Sequence, residues 1–258
     1  MKKISSIILI LSLGFLIYSN SLDGQFLLDD NKLVKNNASI KSWNRLSERL
    51  VRDIDPRRAR QYRPVPLFTY ALDYSLWKLD TRGYHLTNIL VHVLTALALY
   101  WLVNILFKNN FLSLLTALFF LVHPVHTEAV CYISGRADLL VSLFMLLSII
   151  LYIKLLDARN PVFYLLMLAG CVLAVFSKEN SLILPGLLLI YHYAFRKKVK
   201  FSAFIPALII TFIYTILRLI FSKSGSLGAV SQSTPIDRIP SFFFAITNYI
   251  RLLFLPLN

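Results

Sequence analysis

The stretch YHLTNILVHVLTALALYWLVNILF, Tyr84–Phe107, decides the fold. An apolar run of about 20 residues, coiled as a helix, matches the ~30 Å hydrocarbon layer of a bilayer. That layer holds no water for exposed backbone groups, so only helices and closed barrels can cross it. Barrel strands alternate apolar and polar residues, and this stretch does not. It therefore predicts a membrane-spanning helix.

Seven more runs read the same way: Ile4–Tyr18, Phe111–Val122, Asp138–Leu156, Val162–Phe176, Leu182–Phe195, Phe201–Phe221 and Ser241–Leu257. Three of them, Phe111–Val122, Val162–Phe176 and Leu182–Phe195, are short for a full crossing. The 258 residues are 57% hydrophobic, with mean hydropathy +0.65. A soluble domain would need a mostly polar surface, which this composition does not supply. The expectation is an all-α, polytopic transmembrane bundle of about eight spans. Residues 1–258 form one membrane domain, and residues 20–83 form a long first loop within it.

The first run follows Met1-Lys2-Lys3, as in a signal peptide, but no small-x-small cleavage site follows it. An uncleaved signal anchor is expected. Cys131 and Cys171 sit in or beside apolar runs and read as small hydrophobes rather than as a disulfide or metal site.

Short connections on one side carry Lys108, then Lys154 and Arg159, then Arg196, Lys197, Lys198 and Lys200. With Lys2 and Lys3 they mark the cytoplasmic face by the positive-inside rule. The other face holds more basic residues in total, mostly in the long loop from Asn20 to Gly83, but loops of about 60 residues translocate largely regardless of charge. The net charge of +14 favours anionic lipid head groups over nucleic acid in a chain without a soluble domain.

In the first loop, Ser39 heads a helix expected to reach about Asp53. Ile40, Trp43, Leu46, Leu50 and Ile54 fall on one face, and Lys41, Arg45, Glu48, Arg49 and Arg52 elsewhere. This helix either lies on the membrane or packs its apolar face on the protein. A second candidate contains Phe68, Leu72, Leu76 and Leu79.

Counting crossings sorts the costly polar groups to the outer side: Asp29, Asp30, Arg63, His123, His126, Glu128, Arg136, Asp138, Lys178, Glu179 and Arg218. Charges at membrane depth usually mark a functional path or a paired site. An outward-facing polar cavity is expected. Carboxylates beside several cations suit a lipid phosphate gripped by Arg and Lys near a general base. Fixed cations would also stabilise a departing phosphate. Sugar transfer from a lipid-phosphate carrier to a hydroxyl is the reaction these parts fit.

Simpler readings exist for each part. Asp29 and Asp30 suit a turn or helix cap. His123 and His126 suit an interfacial cap beside Pro124, and a zinc site lacks a third ligand at convincing spacing. Arg136 and Asp138 suit a structural ion pair, and Lys178-Glu179 a solvated turn. At the level of the whole protein, a transporter or flippase and a non-catalytic membrane scaffold remain alternatives.

Several stretches also match a known family: NSLDGQFLLDD (residues 20–30), YRPV (62–65), GYHLTN (83–88), HPVHTEAV (123–130), GRAD (135–138) and FSKE (176–179). They resemble the membrane part of the GT-C glycosyltransferases, most closely the transmembrane O-mannosyltransferases with tetratricopeptide repeats. The resemblance implies a polyprenyl- or dolichyl-phosphate sugar donor, commonly mannose, and inverting transfer to a protein or glycan hydroxyl outside a membrane. A bacterial inner membrane is the expected location. The resemblance places the family's first-loop acidic motif on Asp29, as base, and on Asp30, as an orienting group. Arg63, His123, His126, Glu128, Arg136, Asp138, Lys178, Glu179 and Arg218 become candidates for the donor's phosphate or sugar. No cofactor is fixed by it, though a divalent metal stays open. Such relatives continue with more spans and a repeat array, so the chain is expected to be a fragment or a truncated form.

Overall fold

The computed structural model describes residues 3–52, 62–158, 160–222 and 239–254. Among them the regular structure is helical: α1 (Lys3–Tyr18), α2 (Trp43–Arg52), α3 (Pro64–Trp77), α4 (Thr81–Phe107), α5 (Asn110–Val122), α6 (Thr127–Cys131), α7 (Arg136–Ala158), α8 (Pro161–Val175), α9 (Leu184–Ala194), α10 (Phe201–Ser222) and α11 (Ile239–Phe254). The chain is an all-α membrane protein, and each predicted run is a helix over most of its length. Local chemistry sets the ends. Asp80, Asn109 and Asn160 begin α4, α5 and α8 by accepting the N–H of Arg82, of Phe111 and Leu112, and of Val162. Lys108, with φ 52°, turns the chain out of α4 in the left-handed conformation.

α4 is the central post, with α1, α5 and α7 packed around it, and α8 against α7. Its buried face carries Ile89, Val93 and Ala96, at 0–1% exposure. Gly14 lets α1 approach closely: a Cβ there would lie 2.4 Å from Val93 Cγ2. Lipid provides no hydrophobic drive between helices, so small residues that permit such contact matter more than in water. Cys171 is buried in the α7–α8 core and Cys131 is half-buried, both as free thiols.

Four segments are long and apolar enough to cross a bilayer: Lys3–Asp23, Thr81–Phe107, Ile133–Ala158 and Phe201–Arg218. A fifth is the pair Asn110–Val122 and Pro124–Cys131, bent by 51° at His123. By length and composition alone, four or five of the expected eight crossings qualify among the described residues, and eight are not shown. The 11 residues of α9 reach only ~16 Å, about half the hydrocarbon layer. The eighth run departs for a different reason. His123, at the end of α5, lies 3.1 Å from the carbonyl of Leu253, in the last turn of α11. That is the end of the bundle where α10 also finishes, so α11 is not a crossing that starts from there. Leu257, in the expected eighth run, lies outside the described residues.

In the first loop the apolar face splits. Ile40 and Leu46 are buried at 2% and 3% against Val34, Tyr70, Tyr84 and Ile133, which favours packing on the protein. Trp43 stays exposed and leans on Phe68 at 5.9 Å. Instead of one helix headed by Ser39, a tight turn at Ala38–Lys41, capped by Asn37, precedes α2. Asp53 and Ile54 lie outside the described residues. α3 turns Phe68, Leu72 and Leu76 outward, with Leu79 beyond its end.

Candidate active site

Sequence-distant motifs meet at one end of the bundle, where α1, α5, α8 and α10 finish and α4 and α7 begin. The first contact joins the loop after α1 to the turn before α7. Asp30 is 1% exposed. Its carboxylate accepts the N–H of Leu27 (3.0 Å), the N–H of Ser134 (2.8 Å) and the hydroxyl of Ser134. Asp29 is exposed, and its backbone N–H donates to the phenol oxygen of Tyr132 at 2.9 Å. Among the described residues its carboxylate has no hydrogen bond or ion pair. Leu28 takes φ 40° in front of it, with its side chain 84% exposed. One acid is thus a tether and its neighbour a free carboxylate on a held backbone.

The turn that holds them is itself bolted down from inside. A Cβ on Gly135 would lie 2.5 Å from the carbonyl of Ala129, so only glycine fits without a shift. Arg136 is 0% exposed. Its guanidinium meets Asp73 at 2.5 Å, donates to Asn88 (2.8 Å) and the carbonyl of Tyr84 (2.9 Å), and lies over the Tyr70 ring at 4.7 Å. Asp73 is completed by the Thr87 hydroxyl at 2.8 Å. Asn88 in turn donates to the carbonyls of Val130 (3.2 Å) and Tyr132 (3.0 Å). The structure thus places Arg136 in the interior rather than in an open cavity, with its guanidinium engaged inside the protein.

Two residues on, Asp138 points the other way. Lys178, just past α8, donates to both of its carboxylate oxygens, at 2.5 and 2.7 Å. The adjacent Glu179 faces two arginines. Arg63 donates to Oε2 at 2.6 Å, and Arg218 makes an ion contact with Oε1. The Arg63 segment is docked here by the N–H of Val65 on the carbonyl of Phe176, at 3.4 Å. Burial works to raise the Glu179 pKa. Its backbone hydrogen bond and the cations Arg63 and Arg218 outweigh burial and hold the carboxyl below its ordinary value. Three cations face two carboxylates here, and all five side chains retain partial exposure. The patch carries a net positive charge open to an anion.

The remaining expected residues form a separate group. His123 accepts the N–H of Val125 at 3.2 Å through Nδ1, leaving Nε2 to donate to Leu253. His126 packs on Phe120 (4.4 Å) and on the fully buried His92 (5.4 Å). Glu128 is exposed on α6. Among the described residues no group of three or more His, Cys, Asp or Glu is placed to hold a metal ion.

Sequence reasoning missed Tyr132, Ser134 and Asp73, and gave Asn88 no role. Only Asp73 left a trace, as a lone acid in an otherwise apolar stretch, Val65–Leu76.

The chain has clear relatives. It is 29% identical to Protein O-mannosyl-transferase F38B6.6 of Caenorhabditis elegans over 257 residues, which is 96% of this chain and 36% of that protein. It is 33% identical to Protein O-mannosyl-transferase TMTC1 of Mus musculus, over 68% of this chain and 21% of that protein. With Protein O-mannosyl-transferase TMTC4 of Homo sapiens the identity is 32%, over 68% of this chain and 27% of that protein. The chain spans between about a fifth and about a third of the length of these relatives. No family model and no solved structure matches it. By sequence, this chain is a homologue of the TMTC-family protein O-mannosyl-transferases.

Proposed function

We propose that the protein is a glycosyltransferase that moves a sugar, mannose by analogy with its relatives, from a polyprenyl- or dolichyl-phosphate donor to an acceptor hydroxyl. The observation that carries this reading is the division of labour between Asp29 and Asp30. A free carboxylate stands on a backbone pinned by Tyr132, and the same turn leads through Arg136 and Asp138 to a patch of net positive charge.

In this reading Asp29 takes the proton of the acceptor hydroxyl. The oxygen attacks the anomeric carbon from the face opposite the phosphate, and the bond to phosphate breaks with its electron pair. Configuration inverts. Lys178, Arg63 and Arg218 hold the charge that develops on the leaving phosphate, as preorganised cations in a site partly shielded from water. Arg136 is assigned a supporting role: it fixes the turn that carries Ser134 and Tyr132. Asp138 and Glu179 orient the cations. His123, His126 and Glu128, on the neighbouring segment, are assigned to the sugar or the acceptor.

The basic short connections at the opposite end of the bundle support a cytoplasmic location for that end, and hence an extracytoplasmic site. The GT-C relationship, the protein acceptor and the lipid donor belong to this proposal. The three relatives described above come from a nematode and mammals and lend no support to the expected bacterial inner membrane, so the proposal specifies a multi-pass membrane protein and leaves the membrane unassigned. A transporter would place polar groups along a path through the bundle, whereas this network stays at one end. The test is incubation of the protein in liposomes with a panel of labelled polyprenyl-phosphate sugars. Label transfer to an acceptor from a phosphate-linked donor supports the reading. Label carried across the bilayer unchanged would favour transport.

A further inference from the structure

The far end of the bundle holds a cavity that the transferase reading does not use. It has a volume of about 680 Å³ and is lined by Leu155, Pro161, Tyr164, Lys200, Ser202 and Ala203. It opens between the last turn of α7 and the first turns of α8 and α10. Asp138 begins and Leu155 ends the stretch of α7 between the two places, which puts this cavity ~26 Å from the Asp138–Lys178 pair.

The charge around it is one-sided. Lys108, Lys154, Arg196, Lys197, Lys198 and Lys200 all lie at this end. Of the chain's 13 acidic residues, Asp157 is the one that falls in its three connections, residues 107–110, 156–161 and 194–201. Lys108, Arg196, Lys197 and Lys198 are exposed. Lys200 is different, because it is half-buried in the cavity wall and its ammonium is fixed on the carbonyl of Leu156. Lys154 is held as well, over the rings of Trp101 (4.4 Å) and Phe163 (5.5 Å), an aromatic arrangement suited to the interfacial depth. Below the cavity, α8 and α10 present Val162, Leu165, Phe201 and Ile205 outward, at 43–66% exposure.

We infer that this cavity binds the head group of an anionic phospholipid. Lys200 and the Ser202 hydroxyl would meet the phosphate, and the acyl chains would run down the apolar surfaces of α8 and α10. Basic pockets between membrane helices are suited to such head groups, and a fixed, half-buried ammonium is screened less than the solvated cations around it. A neutral lipid would leave the local positive charge uncompensated, so the site discriminates by charge as well as by shape. The inference stands apart from the transferase reading, since it concerns the opposite end of the bundle and its test uses no turnover.

The test reconstitutes the chain in bilayers with spin-labelled phosphatidylglycerol or phosphatidylcholine and reads the motionally restricted fraction by electron paramagnetic resonance. The chain should select phosphatidylglycerol. Lys200→Gln keeps a donor for Leu156 but loses the charge, and should lower that selectivity by about fivefold or more. Ser202→Trp fills the cavity without changing charge and should do the same. Lys198→Gln, outside the cavity, should change it less than about twofold. Sodium phosphate should displace no more label than sodium chloride of equal ionic strength. Equal losses in Lys198→Gln and Lys200→Gln would mean a diffuse field, and an inert Ser202→Trp would mean the lipid does not use the cavity. Displacement by phosphate would mean a free-anion site. Each of these three outcomes overturns the inference.

Discussion

The backbone N–H of Asp29 and the phenol of Tyr132 meet at 2.9 Å, across 103 residues of chain. This contact leaves the Asp29 carboxylate unencumbered, because the bond is made by the backbone. The neighbouring Asp30 uses its carboxylate on Leu27 and Ser134 and, at 1% exposure, is closed off from a substrate. The roles assigned within the site rest on this difference between adjacent acids, and it yields separable expectations.

Tyr132→Phe removes the acceptor for the Asp29 N–H and little else, since the ring stays. Stability should change by less than about 1 kcal/mol, the usual net worth of one hydrogen bond. Turnover should fall severalfold with donor affinity unchanged, because the base is less well positioned. Turnover with the donor affinity measured on the same preparation checks this. A loss of donor affinity instead would place Tyr132 in donor binding.

Asp30→Asn should damage the fold rather than the chemistry. An amide has one acceptor oxygen and turns a donor toward N–H or O–H groups that are already donors. The cost is about 1–3 kcal/mol for a buried polar group left unsatisfied. Thermal unfolding in detergent should show a lower Tm for Asp30→Asn and an unchanged one for the exposed Asp29→Asn.

Arg136→Ala should be among the most destabilising single changes in the protein. It leaves Asp73, at 4% exposure, without its cation, and breaking a buried pair costs about 3–5 kcal/mol. Adding Asp73→Asn should recover part of that loss, because the unpaired buried charge is gone. A double-mutant cycle measures the coupling, and additive losses would rule out the pairing as the cause.

The Arg63–Glu179–Arg218 contact should loosen in acid. The folded-state pKa of Glu179 lies below its ordinary value of 4.5, so the carboxylate stabilises the fold fully above that pH. The contribution is lost as pH falls through the lowered value. Wild-type protein should therefore lose more stability below about pH 4.5 than Glu179→Gln does. Parallel pH profiles for the two proteins would contradict it.

The helices were legible in the sequence because an apolar run of bilayer length suits a membrane helix and few structures besides. Crossing number was less so. Leu182–Phe195 reads as apolar, but only 11 residues of it continue as helix after the turn at Glu179–Ile183. Within the site, side-chain direction was the hidden variable. Arg136 and Asp138 are two residues apart on α7, hence about 200° apart around it, so one enters the core and the other meets Lys178. Which of them faces inward depends on Asp73, in a distant helix. Lys178 and Glu179 likewise separate onto different partners. The motif residues marked the region, but the bonds that assign their roles come from Tyr132, Ser134, Asp73 and Asn88, which the sequence alone did not single out.

The most direct measurement of the central claim is mannose transfer from a polyprenyl-phosphate donor by Asp29→Asn and wild-type protein at saturating donor, with donor affinity measured in parallel. General-base catalysis contributes roughly 10²–10⁴-fold. A fall in turnover of that order is predicted, with donor affinity and Tm unchanged. Near-normal turnover in Asp29→Asn would contradict the assignment of Asp29 as the base.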